Sequence, residues 1–179
     1  MHRAGYTPLA VASPKSAALC IQYGAADTVS YLTADPVGDI HSIAGGKPIR
    51  HAIDCITDVE SSATCFSALS RAGGRYACLE ECPPAWRTRR TVRVKEVMGF
   101  QILGLRVYLG PTTTYTREAS PISFNIGQTW AAEIQSLVDQ ELLQPHPILE
   151  VSGGWEGIIK GLEMLRRGEV KGQKIVLKI

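Results

Sequence analysis

Apolar residues recur along this chain in two alternating rhythms. Residues 7–12, TPLAVA, form a short continuous apolar run, the pattern of a strand covered on both faces. Ser13 and Pro14 follow, a capping hydroxyl and a proline suited to the first helical position. Ala17, Ala18 and Ile21 then repeat at helical spacing until Gly24 can end the turn. Residues 28–31 read as a second short strand. Asp35-Pro36 repeats the cap-and-proline signal and opens a helix carrying Val37, Ile40 and Ile43, closed by Gly45-Gly46. Residues 50–56, RHAIDCI, predict a strand; 59–69 predict a helix with Val59, Ala63, Phe66 and Leu69 on one side; 76–79 predict another strand.

Strands alternating with helices of this length mean crossover units and a parallel sheet. Handedness and adjacency rules then favour a doubly wound α/β layer. Beyond residue 82 the texture changes. Residues 92–109 predict one or two strands, and the Pro/Thr/Ser/Gly-rich stretch 110–128 predicts a long loop. Two helices follow, over 130–143 with Ala131, Ile134, Val138 and Leu142 as a stripe, and over 155–167 with Trp155, Ile158, Ile159, Leu162 and Leu165. Gly161 within the second helix permits close packing. Strands are expected at 148–151 and 174–178.

Composition narrows the class. The chain has 179 residues, 45% hydrophobic and 20% charged, enough for a core and too apolar for wholesale disorder. A net charge of +2 gives no case for a nucleic-acid binder. No run of apolar residues is long enough for a spanning helix, and MHRAGYTPLAVAS does not read as a secretory signal, so a cytoplasmic protein is expected. Cys20, Cys55, Cys65, Cys78 and Cys82 are an odd set that reads as packing residues or free thiols in a reducing compartment. The Cys78/Cys82 spacing without a second cluster is not a metal site.

Parallel sheets bind ligands beyond the carboxyl ends of their strands. Ser13 and Lys15, a hydroxyl and an ammonium at a helix start just past a strand, suit a phosphate; the alternative is a cap and a solvated lysine. Asp54 within an apolar strand is either near a ligand or structural. His41 and His51 have no carboxylate partner at metal spacing, and His146 sits in a Pro-His-Pro turn. Gly153, Gly154 and Gly157 read as a helix entry. The basic run Arg87, Arg89, Arg90, Arg93 and Lys95 is a solvated loop, an attractor for an anionic cofactor or carrier, or less plausibly a nucleic-acid contact. No nucleophile-elbow, zincin or P-loop motif is present.

An ordered set of segments then becomes informative: ASPKSAALCIQYGAADTVSY, HAIDCI, ALSRAGGRYACLE, MGFQILG and GGWEGIIKGLEMLRRGEVKGQKIVLKI. From about residue 7 to 179 the chain resembles the C-terminal half of a medium-chain dehydrogenase/reductase, and within that superfamily the fungal trans-acting enoyl reductases that partner polyketide synthases. The resemblance implies NADPH as cofactor and hydride transfer to an enoyl thioester in secondary-metabolite biosynthesis. It implies that Ser13 and Lys15 receive the adenosine phosphate, with Tyr31 near that ribose. Cys55 and Ile56 match the loop after the family's fourth strand, Leu79 and Glu80 the end of the fifth, and Met98, Gly99 and Phe100 the segment holding the nicotinamide carboxamide. No residue is implied as an acid–base catalyst, and the zinc ligands of alcohol dehydrogenases are not matched. The implied partner is a polyketide synthase or its acyl-carrier domain, with no nucleic acid and no membrane, and the chain is expected to be a monomer.

The resemblance also implies a partial fold: a Rossmann-like parallel sheet lacking the first strand and its glycine-rich turn. Residues 1–6 are then a residual tail, 7–144 an incomplete dinucleotide-binding domain and 145–179 a segment that normally returns to a substrate domain. The chain reads as a truncated form, active as an enoyl reductase or else acting as a non-catalytic binding or interaction module. In the usual order 3-2-1-4-5-6 the absent strand is central. The reading places 7–12 and 50–56 in one sheet, either paired directly or facing a gap. Trp155 and Ile159 are expected to be more exposed than their stripe suggests.

Overall fold

Parallel pairing organises the chain, in pieces rather than one continuous sheet. The computed structural model describes residues 1–111 and 115–178. These fall into two compact units, Met1–Gln135 and Ser136–Ile179.

In the first unit, β1 (Leu9–Ala12) leads through a 3-10 turn, Pro14–Ser16, into the short helix α1 (Ala17–Gln22) and on to β2 (Asp27–Ser30). β1 and β2 pair in parallel, with Val11 opposite Val29. Helix α2 (Pro36–Ile43) starts where Asp35 accepts from the Gly38 amide at 2.9 Å and Pro36 takes the first position. Then come β3 (His51–Asp54), α3 (Val59–Ala68), β4 (Gly74–Cys78) and β5 (Val92–Glu96), a three-stranded parallel sheet in that order. Tyr76 lies opposite Ala52 on one side and Val94 on the other.

β1 and β3 are in separate hydrogen-bonded sheets. Of the two expected arrangements, direct pairing across the central position does not occur among the described residues, and β1 and β3 are left without a ladder between them. Side chains join the two pieces instead. Val29 of β2, Ile40 of α2 and Ala68 of α3 form one buried cluster, and Ile49 packs against both this cluster and the larger one. That larger core holds Phe66, Leu69, Tyr76, Cys78, Cys82 and Val92, with the Phe66 and Tyr76 rings 5.1 Å apart. The arrangement is α/β and Rossmann-like in part: parallel strands, crossover helices and an interrupted layer.

Two local expectations change. The stretch 110–128 is not all loop, because helix α4 runs Pro121–Asp139. Ser120 accepts from the Ser123 amide at 3.1 Å, and Pro121 opens the helix, the same signal seen at 35–36. A side chain at buried Gly127 would meet Ile102 at 2.6 Å, so the missing Cβ is what lets this helix approach. On α3 the inward residues are Ser62, Phe66 and Ala68, while Val59 faces solvent.

The second unit is one crossover: β6 (Ile148–Val151), α5 (Gly154–Arg166) and β7 (Lys174–Leu177), with β6 and β7 parallel. The face of α5 that packs is its glycine face. Gly157 and Gly161 are buried, and a Cβ at Gly161 would lie 3.3 Å from Ile175. Trp155 is 73% and Ile159 61% exposed, as the sequence leads one to expect.

Total accessible surface is 12842 Å². Large apolar side chains such as Ile122, Trp130 and Leu105 are among the exposed residues.

The basic run is also redrawn. Arg87 donates to the Cys82 carbonyl at 2.9 and 2.7 Å and pairs with Glu96 at 3.1 Å. Arg89 donates to the Phe66 and Leu69 carbonyls at 2.8 and 2.7 Å and to that of Ser70, closing the C-terminus of α3. These two arginines are structural ties rather than a solvated loop. Arg89→Ala is expected to cost about 2 kcal/mol in urea unfolding, because three carbonyls lose charged donors. Arg89→Lys is expected not to restore the loss, since an ammonium cannot span the fork.

Candidate functional site

Each residue implicated by resemblance lies just beyond the carboxyl end of a parallel strand. Ser13 follows β1 and Tyr31 follows β2; Cys55 and Ile56 follow β3; Leu79 and Glu80 follow β4; Met98, Gly99 and Phe100 follow β5. The sheets bring them together in two sets. Ser13, Lys15 and Tyr31 share the end of the β1–β2 pair. The other residues share the end of β3–β4–β5, where the Leu79 amide reaches Asp54 O at 3.2 Å and the Val97 amide reaches Cys78 O at 2.8 Å.

Ser13 is half-buried, its hydroxyl 3.0 Å from that of Ser16, and its side chain makes no cap bond. Lys15 and Tyr31 are exposed. Met98 caps the 3-10 turn Gly99–Leu103, and nothing lies within 4 Å of where a Gly99 Cβ would stand, so that backbone is open to a ligand. The Glu80 carboxylate accepts a hydrogen bond from the Tyr115 hydroxyl. That bond is the main reason the Tyr115 phenol titrates above its ordinary range.

The β3 loop is built around one carboxylate. Asp54 is buried, and its Oδ1 accepts from the Ile56 and Thr57 amides at 3.0 and 2.9 Å. Its Oδ2 accepts from the Ser61 hydroxyl at 2.9 Å and from the Tyr76 hydroxyl at 2.8 Å. Ser62 lies 3.1 Å from the same phenol. Thr57 holds φ at +59°, a left-handed conformation, and returns a bond to Asp54 O at 3.3 Å. Asp58 then caps α3 through the Ser61 amide at 2.7 Å, in a reciprocal box with the Ser61 side chain. The same amide bond holds the Asp58 carboxyl below its usual range. The net effect pins residues 54–61 while leaving Cys55 and Ile56 exposed at the strand end. Of the two readings of Asp54, the structural one is what the geometry shows.

Sequence reading passed over two supports of this site. Tyr76 and Ser62 complete the Asp54 network, and their signal is a hydroxyl at an inward position of an apolar element. Glu96, at the end of β5, is clamped by Arg87 and by Arg117, each at 3.1 Å. A polar cavity of about 280 Å³ lies there, lined by Arg87, Glu96, Gln101 and Arg117 among others. Burial pushes the Cys65 thiol up to about 12 and the Cys78 thiol to about 11, and it pushes the Tyr76 phenol up as well.

No family model matches the chain. It is 55% identical over 175 residues to trans-enoyl reductase calK of Penicillium decumbens, covering 98% of this chain and 47% of that protein. It is 50% identical to trans-enoyl reductase sthE of Phaeosphaeria nodorum, covering 98% and 48%. The chain thus spans about half the length of the curated relatives it matches. Among solved structures it is similar to the CurK enoyl reductase, with a TM-score of 0.66 at 14% identity over 99% of this chain and 49% of that one. The alcohol dehydrogenase of Aeropyrum pernix gives 0.60 at 18% identity over 97% and 43%. These structural likenesses speak for the fold alone.

Two substitutions test the loop. Tyr76→Phe removes one donor from Asp54 and is expected to cost about 1–2 kcal/mol; Asp54→Ala strands four donors and is expected to cost about 3 kcal/mol or more. Denaturant unfolding of each variant measures both. Equal and negligible losses would mean that the carboxylate does not organise the loop.

Proposed function

From the homology of this chain to about half of a fungal trans-enoyl reductase, we propose that it carries the nucleotide-binding part of an NADPH-dependent enoyl reductase. The observation that carries the reading is the coincidence of the implicated residues with the open carboxyl ends of β1 through β5.

The donor set fits a phosphorylated dinucleotide at its two ends. Lys15 is an exposed cation in the 3-10 turn that Ser13 precedes, and Tyr31 is exposed at the end of β2; in this reading Ser13 and Lys15 hold the phosphate on the adenosine ribose and Tyr31 lies near that sugar. Cys55 and Ile56, on the loop fixed by Asp54, and Leu79 and Glu80 form the wall along the nicotinamide half. The open backbone at Met98–Gly99–Phe100 holds the carboxamide. When bound, NADPH supplies hydride to the β-carbon of an enoyl thioester. The chain's own residues bind and orient; no side chain of the set is assigned to move a proton. The acyl chain is presented by a polyketide synthase or its acyl-carrier domain. Among the described residues no helix is long and apolar enough to cross a membrane.

Fluorescence titration with NADPH and NADH tests this directly. Saturable binding is expected, with NADPH preferred by at least about tenfold and the preference lost in Lys15→Ala, because the lysine meets a charge that only NADPH carries. Absence of saturable binding, or a preference untouched by Lys15→Ala, would contradict the assignment. Alkylation gives an independent readout. Exposed Cys55 should react ahead of Cys65 and Cys78, whose raised pKa values keep them as thiols at neutral pH, and NADPH should slow Cys55 labelling.

A further inference from the structure

The 3-10 turn Gly99–Leu103 follows β5 closely and carries Gly99 and Phe100, part of the backbone assigned above to the carboxamide. Two of its backbone bonds stay local: the Gln101 amide to Met98 O at 3.0 Å and the Gly104 amide to Gln101 O at 3.2 Å. Such bonds shape a turn without fixing where it stands. Its place relative to the strand ends is set by what packs behind it.

On one side lies α4. Gly127 is buried against Ile102, and a Cβ there would stand 2.6 Å from the Ile102 Cβ and 3.0 Å from its carbonyl oxygen. One helical turn earlier, Phe124 lies against Gly104, where an added Cβ would meet the ring at 3.0 Å. No side chain fits at Gly127 without moving the main chain of the turn. On the other side stands Glu96. Its Oε1 accepts from the Arg87 guanidinium at 3.1 Å and from the Cys82 amide at 3.3 Å, and its Oε2 accepts from Arg117 at 3.1 Å. Arg117 is in turn bridged to Val107 by backbone bonds of 2.9 and 3.0 Å. Two residues earlier, the Tyr115 hydroxyl donates to Glu80 and accepts from the Glu81 amide at 3.2 Å. One carboxylate thus joins the segment after β4, the end of β5 and the chain that leaves the turn. Gln101 of the turn lines the same cavity of about 280 Å³ as Glu96, Arg87 and Arg117.

We propose that Glu96 and Gly127 are positioning residues for the nicotinamide half of the cofactor. They set where the Met98–Phe100 backbone stands against the ends of β4 and β5, and they act through the turn rather than by contact with the dinucleotide. The inference rests on the nucleotide-binding reading above. Backbone that receives a carboxamide must stand within hydrogen-bond reach of it, so a small displacement of the turn forfeits the contact. The adenosine end is built on β1 and β2, a separate sheet that shares none of these ties.

Calorimetric titration of the full chain with two ligands separates the halves. One is NADPH; the other is adenosine 2′,5′-bisphosphate, which carries the phosphorylated adenosine end and no nicotinamide. Gly127→Ala is expected to weaken NADPH about tenfold and to leave the bisphosphate within about twofold. Alanine is the better helix former, so that loss cannot come from a weaker α4. Glu96→Gln keeps the size of the side chain and removes its charge, and it is expected to give the same split at about fivefold. Should one variant fail to fold by circular dichroism, the other decides; failure of both would make these residues supports of the fold alone and overturn the inference. Both ligands weakened alike, or neither weakened, would overturn it and leave the nucleotide-binding reading in place. So would an unchanged chain that binds NADPH no more tightly than the bisphosphate. Binding of neither ligand by the unchanged chain would overturn that reading and this inference with it.

Discussion

Backbone pairing along parallel strands is the constraint on which everything else in this molecule rests. Each strand residue must place one N–H and one C=O, and burying them unpaired costs about 1–3 kcal/mol apiece. β3 meets this obligation on one side only. The Arg75 amide bonds Arg50 O at 2.8 Å, which fixes the even-numbered residues of β3 as the partners of β4. His51 and Ile53 therefore turn their main-chain groups away from β4, toward the side where no strand pairs among the described residues. The two pieces of the layer hold together through Ile40, Ala68 and Ile49 instead, which is side-chain packing and not a ladder.

That interruption shapes the chemistry. Strand ends still converge within each piece, so residues from β1–β2 and from β3–β4–β5 are presented in two groups. Within the second group precision comes from Asp54, whose four donors fix the loop bearing Cys55 and Ile56. The loop keeps its form because its anchor is buried and fully satisfied, while the Cys55 and Ile56 side chains remain exposed.

Much of this was legible from residue order. Asp35-Pro36 marks a helix start whose cap bond is seen, and 148–151 is a strand where the pattern puts one. The same cap-and-proline signal at Ser120-Pro121 was masked by the surrounding Thr, Ser and Gly, whose composition suggested a loop. On α5 the exposure of Trp155 and Ile159 was expected, but the face that packs in place of the apolar stripe was not. The helix packs through Gly157 and Gly161, since close approach to Ile175 and Leu177 matters more there than side-chain area, and Trp155 is left outside. The roles of Arg87 and Arg89 could not be read from a run of like charges. Their partners are main-chain carbonyls and a glutamate brought near only by the fold.

Amide hydrogen exchange along β3 addresses the interrupted layer most directly. The account predicts that the N–H groups of His51 and Ile53 exchange far faster than those of Ala52 and Asp54, which the ladder to β4 protects. Equal, strong protection at all four positions would mean that β3 has a hydrogen-bonded neighbour on both sides, and the account of an open edge would be wrong.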